Sequence, residues 1–155
     1  MVPLQRLTHV GIAVSDLERA LRFYRDVLGF RFEHELHVEG EPSDTLLRLR
    51  GVNLDAVYLV RDGVRIELLR FAHPPAPPPH ARRMNEPGLT HLSFRVQDLD
   101  ATLAALRAAG ERVLEETIIR IPQVHAAACF VADPDGQLIE LVQSPGDPAA
   151  APGTH

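Results

Sequence analysis

Two histidines and two glutamates stand at matching places in a repeated pattern. Leu7-Thr8-His9-Val10 recurs as Leu89-Thr90-His91-Leu92, and Asp62-Gly63-Val64-Arg65-Ile66-Glu67-Leu68 recurs as Asp135-Gly136-Gln137-Leu138-Ile139-Glu140-Leu141. Each glutamate puts a carboxylate inside an apolar strand: Arg65 and Leu69 share the face of Glu67, and Leu138 and Val142 share that of Glu140. A carboxylate so placed is costly unless a cation or hydrogen bonds satisfy it, which makes a metal ion the economical explanation. Two neutral imidazoles with two carboxylates suit Zn, Ni, Co, Mn or Fe(II) in five- or six-coordination, with positions left for water or substrate oxygens. Calcium fits two imidazoles poorly. Any one of these residues alone is more often a satisfied or solvated side chain. The coincidence of four at repeat-equivalent points is what singles out His9, Glu67, His91 and Glu140.

The surrounding sequence supplies the elements that must position them. His9 to Val14 alternates as a strand, with Val10, Ile12 and Val14 on one face and His9, Gly11 and Ala13 on the other. Ser15 with Glu18 has the capping-box pattern, and Leu17, Ala20, Leu21, Tyr24 and Leu28 repeat at helical spacing up to Gly29. Period-two segments at 30–38, 45–50, 55–60 and 64–71 predict strands, broken by Gly40-Glu41-Pro42, Gly51 and Asp62-Gly63. The second copy repeats the scheme: a strand over 91–96, a helix opened by Asp98 and closed by Gly110, then strands over 113–116, 118–121, 125–132 and 138–143. The two Asp-Gly pairs read as tight turns delivering the glutamate strands, and as turn chemistry only.

Both copies thus read as βαβββ, giving an α+β fold of two half-domain modules. Module 1 spans about 4–72, and a Pro-rich linker covers 73–88, with His73 to His80 as an extended polyproline spacer. Module 2 spans about 89–143, so that residues 1–144 make one domain, and 145–155, rich in Pro, Ala and Gly, reads as a disordered tail. His9 and His91 lie 82 residues apart and Glu67 and Glu140 only 73, so the second copy is shorter between helix and last strand. His34, His37, His73, His80 and His155 have no repeat counterpart and read as solvated. His125 opens a strand that would face the cleft, but it too lacks a counterpart.

Composition narrows the partners. At 155 residues and 45% apolar, the chain has the size of one globular domain. A net charge of −5, with arginines interleaved among acids, argues against nucleic acid and anionic membrane surfaces and for a small-molecule partner. No signal segment and no membrane-spanning run are read, so a cytoplasmic location is expected. The single cysteine, Cys129, lies in an apolar run and reads as a buried thiol of a reducing compartment.

The paired modules resemble a known group of proteins. The residues that carry the likeness are His9-Val10-Gly11-Ile12-Ala13-Val14-Ser15-Asp16-Leu17, Phe23-Tyr24-Arg25-Asp26-Val27-Leu28-Gly29-Phe30 and Asp133-Pro134-Asp135-Gly136-Gln137-Leu138-Ile139-Glu140-Leu141. They are similar to the vicinal oxygen chelate superfamily, which includes glyoxalase I, methylmalonyl-CoA epimerase, extradiol dioxygenases, fosfomycin-resistance enzymes and bleomycin-binding proteins. The likeness covers Leu4 to Gln143. It implies a half-open mixed β-barrel around one divalent ion held by His9, Glu67, His91 and Glu140, in a homodimer. It also implies Lewis-acid stabilisation of an enolate or enediolate, with a metal-bound glutamate as base. Glu140 is the first choice for that base, its surroundings reading as the drier, and Glu67 the second.

Within the superfamily the pattern is nearest to glyoxalase-like and methylmalonyl-CoA epimerase-like members. Glyoxalase I places an Arg four residues after the first histidine and an Asn four after the first glutamate, where this chain has Ala13 and Phe71, which removes much of a glutathione clamp. Methylmalonyl-CoA epimerase matches better in the first strand but differs before the last. An Fe(II) extradiol-type dioxygenase would use His9, His91 and Glu140, with Glu67 filling a position that catechol or O₂ needs. A non-catalytic, bleomycin-like drug binder is the third reading, opposed by the four ligand-type residues and by the absence of Trp.

Overall fold

The structure, a computed structural model, describes residues 2–77 and 83–152. Part of the polyproline spacer, with His80, and the last three residues, with His155, fall outside the described residues. The chain divides into two compact units, Met1–Pro78 and Pro79–His155.

In the first unit, β1 (Val10–Ala13) leads through α1 (Leu17–Leu21) and a π-helical continuation (Arg22–Val27) to β2 (Arg31–Glu39), α2 (Glu41–Leu47), β3 (Asn53–Arg61) and β4 (Val64–His73). The sheet order is β1-β4-β3-β2, with β1 parallel to β4 and the other pairs antiparallel. The N-cap of α1 is Asp16, whose carboxylate accepts from the Arg19 amide at 3.0 Å; the capping box expected at Ser15 is not what starts this helix. Beyond Leu21 the turns widen, with the Leu28 amide reaching back to the Phe23 carbonyl, five residues behind. This stretch carries Phe23 and Tyr24, both buried, and alternate sheet residues Val57, Leu59, Ile66 and Leu68 are buried with them. The helix packs on β4.

The strand expected over 45–50 is not there. Residues 41–47 form α2, with Pro42 in its first turn where no amide donor is needed, and Arg48 ends it in the left-handed region at φ 56°. The alternation of Leu47 and Leu49 with arginines mimics a strand, but Leu47 turns onto a second apolar cluster of Val52, Leu54 and Ala56. Asp44 locks the arrangement by accepting the Gly51 and Val52 amides, each at 2.7 Å.

The second unit contains β5 (His91–Arg95), α3 (Leu99–Ala108), β6 (Arg112–Val113), β7 (Ile119–Ile121), β8 (Ala126–Ala132) and β9 (Leu138–Gln143). Its order is β5-β9-β8-β6, with β7 also on β8; β5 is parallel to β9. The α+β class and the repeated βαβββ plan are therefore present, each as an open sheet. The strand expected over 113–116 stops at Val113 and gives way to a 3₁₀ turn, Glu115–Thr117. The Thr117 hydroxyl accepts the Phe130 amide at 2.9 Å and so takes the place of a ladder partner. His125 is not in β8: it follows a second 3₁₀ turn, Pro122–Val124, with φ 51°. Leu99, Leu103, Leu106, Cys129, Val131, Ile139 and Leu141 form the buried core between α3 and the sheet. Burial pushes the Cys129 thiol up, in keeping with an inert core residue. Among the described residues no helix is long and apolar enough to cross a membrane.

Candidate metal centre

Parallel pairing of the first and last strand of each unit brings histidine and glutamate together. In the first unit Gly11 lies opposite Glu67, so His9, one step off the strand end, reaches the same face. His9 Nε2 stands 3.1 Å from Glu67 Oε2. In the second unit Ser93 lies opposite Glu140, and His91 Nε2 stands 3.5 Å from Glu140 Oε2. The other ring nitrogen is engaged alike in both copies: Thr8 Oγ1 lies 3.0 Å from His9 Nδ1, and Thr90 Oγ1 lies 2.9 Å from His91 Nδ1. A threonine oxygen on Nδ1 fixes the ring and leaves Nε2 to face the carboxylate. Arg65 strengthens the first copy, since it is held by Glu33 and donates to the Thr8 carbonyl at 3.0 Å, anchoring the residue beside His9.

Each pair has the spacing of two ligands on one divalent ion. Two ligands about 2.1 Å from one ion at a right angle lie about 3 Å apart, the separation seen between His9 and Glu67 and nearly that between His91 and Glu140. Among the described residues no group of three or more His, Cys, Asp or Glu side chains is gathered, so each unit offers a pair.

The carboxylates differ in their surroundings. Glu67 accepts at Oε1 from the Tyr58 hydroxyl, while Oε2 faces His9, so both of its oxygens are engaged. Burial, then the bond to Glu67, pushes the Tyr58 phenol up to about 12, so it remains a donor. Glu140 accepts from Ser93 Oγ at 2.7 Å on Oε2, the oxygen that faces His91, and no described residue donates to Oε1. Phe130 holds the place opposite Glu140 that Tyr58 holds opposite Glu67. Both rings stand edge-on to the neighbouring imidazole, at 5.4 Å for His9 with Tyr58 and 5.5 Å for His91 with Phe130. The expectation that Glu140 is the drier carboxylate is reversed: its side chain is 28% exposed against 14% for Glu67, because Tyr58 and His9 cover the latter.

Sequence reading missed Tyr58, Phe130 and Ser93, and left His34 as solvated. His34 stacks flat on Tyr58, with ring centroids 4.3 Å apart. The repeated Leu-Thr-His did signal the threonines. The Tyr58 and Phe130 positions carried no such signal, because a two-residue turn precedes Glu67 and a five-residue loop precedes Glu140, which shifts the spacing from ring to glutamate. His125 lines, with Asp100, Arg120 and Gln143, a cavity of about 270 Å³ at the start of α3 that neither His91 nor Glu140 lines.

Comparison with known proteins decides the family. Residues 8–132 match the model of the Glyoxalase/Bleomycin resistance protein/Dioxygenase superfamily. The chain belongs to this superfamily. It is 32% identical over 141 residues to an ethylmalonyl-CoA/methylmalonyl-CoA epimerase of Cereibacter sphaeroides, covering 89% of this chain and 97% of the relative. It is 27% identical over 141 residues to a lactoylglutathione lyase of Haemophilus influenzae, covering 90% and 93%. Both relatives are named as enzymes, in line with the enzyme expected from the sequence. A crystal structure of a glyoxalase family protein from Bacillus cereus superposes with a TM-score of 0.77 at 28% identity, over 94% of this chain and 97% of that one. The superfamily fold therefore extends over both units.

Proposed function

We propose that His9, Glu67, His91 and Glu140 together hold one divalent ion per chain, and that the protein is a metal-dependent lyase or isomerase/epimerase acting on a small, oxygen-chelating substrate. The observation that carries this reading is the duplicated His–Glu pair, each with threonine behind the imidazole and Nε2 facing the carboxylate. Two pairs joined, within one chain or across a homodimer, give the donor number that a pair alone lacks. Zn, Ni, Co, Mn or Fe(II) suits that set.

The ion would supply Lewis acidity to two neighbouring substrate oxygens and so ease loss of a proton from the carbon beside them. The chain's own part is proton movement. Glu140 Oε1, which no described residue hydrogen-bonds, takes the proton from that carbon and returns it to the same or a neighbouring carbon. Ser93 orients the carboxylate, and Phe130 keeps a second donor away from it. The relatives named as epimerase and lyase support this class of chemistry. A cytoplasmic enzyme agrees with the lone, buried Cys129.

The test loads purified protein with Co, Ni or Zn and follows exchange of the substrate proton for solvent deuterium across a panel of 2-oxoacid, acyl-CoA and hemithioacetal substrates. Metal-dependent exchange with at least one class is expected. Oxygen uptake with catechols under anaerobically loaded Fe(II), in place of exchange, would replace this reading with a dioxygenase.

A further inference from the structure

We propose that the Tyr58 hydroxyl, acting through Glu67, separates the roles of two otherwise matching carboxylates: it holds Glu67 as the permanent ligand and leaves Glu140, opposite Phe130, as the one that leaves the ion and moves the proton. The inference rests on the metal site proposed above and assigns Tyr58 as a positioning residue within it.

The two His–Glu pairs are the same in plan, and their surroundings differ by two oxygen atoms. In the first unit the strand partner of the glutamate on β3 is Tyr58 and the partner on β1 is Gly11; in the second they are Phe130 on β8 and Ser93 on β5. The Tyr58 oxygen takes Glu67 Oε1, the oxygen turned away from His9. The Ser93 oxygen takes Glu140 Oε2, the one turned toward His91. The first arrangement presents a single carboxylate oxygen beside His9 and ties down the other. The second leaves an oxygen untied.

The phenol is itself held. His34 stacks on one face of the ring at an interplanar angle of 7°, and His9 meets it at 83°. Its hydroxyl is therefore aimed before any substrate arrives, and swinging Glu67 away from an ion would break a charge-assisted hydrogen bond in a half-buried place. Opposite Glu140 the phenyl ring of Phe130 offers no donor, so moving that carboxylate breaks only the bond from Ser93. Gly11 adds to the contrast: where Ser93 brings a hydroxyl to Glu140, the glycine brings no side chain to Glu67, and a Cβ there would lie 3.8 Å from Glu67 Oε2 and 3.4 Å from Leu69 Cδ1.

The test uses the full chain and Co(II) as probe, with affinity from chelator competition and coordination from the visible d–d absorption. Tyr58→Phe removes one oxygen and keeps the ring. It is expected to weaken Co(II) binding roughly 10- to 100-fold, the effect typical of removing a group that orients a ligand, and to change the absorption bands, while thermal unfolding of the metal-free protein stays cooperative. Phe130→Tyr tests the same claim without touching the first unit: it should move the bands in the opposite sense and tighten Co(II). Tyr58→Phe with affinity within about twofold of wild type and an unchanged spectrum overturns the role of Tyr58 while leaving the metal site standing. A wild type that takes up no Co(II) overturns both.

Discussion

Glu67 and Glu140 show how small a difference separates the proposed ligand from the proposed base. Both sit on the last strand of a repeated unit beside an imidazole, and only Glu67 meets a phenol. Glu140→Gln is expected to slow deuterium exchange of a competent substrate by about 10²-fold or more, the usual contribution of a general base. Exchange measured by NMR with the ion confirmed in place checks this, and an undiminished rate would move the base elsewhere. A second residue-scale effect concerns the fold alone. Gly29 has φ +73°, and a Cβ there would come within 3.0 Å of Arg61 Nη1, which donates to the Leu28 carbonyl. Gly29→Ala should therefore cost about 1 kcal/mol or more in urea unfolding. Gly11, whose φ is ordinary, should accept alanine at much smaller cost.

At the scale of elements, helix α3 depends on its cap. The Asp98 carboxylate accepts the Ala101 amide at 2.9 Å, and Asp98→Ala should cost about 1 kcal/mol, read as a lowered urea midpoint. On β2, the hydrogen bond to Asp55 raises the His37 imidazole above its ordinary range, against a smaller opposing effect of burial. A raised folded-state pKa gives stability that is present below about pH 6.5 and is lost as pH rises through the folded value. Wild type should accordingly lose more stability than Asp55→Asn between about pH 6 and pH 8, as urea midpoints at the two ends will show. The elements also mark where sequence reading succeeds. Strands β1, β4, β5 and β9 were legible because alternation and Asp-Gly turns agree, and with them came both His–Glu pairs. Helix α2 was misread because Leu47 and Leu49 alternate with arginines, while the capping chemistry of Pro42 and Asp44 decides the segment. Tyr58 was illegible because a cross-strand partner depends on register, and register depends on turn length.

For the whole molecule, duplication is the organising fact. Each of the two units carries one His–Glu pair, the two halves of the proposed donor set, and the longer spacing of the first unit holds α2. An ion bound only by the folded protein must stabilise it: at about 1,000 times its Kd the gain is about 4 kcal/mol, reversed by chelator. The most direct test of the central claim is metal stoichiometry of purified protein, reloaded with Co or Ni and measured by elemental analysis. One ion per chain in wild type, lost in Glu67→Ala, is the predicted result. No stoichiometric ion in wild type, even after reloading, would contradict it and leave a non-catalytic binder in its place.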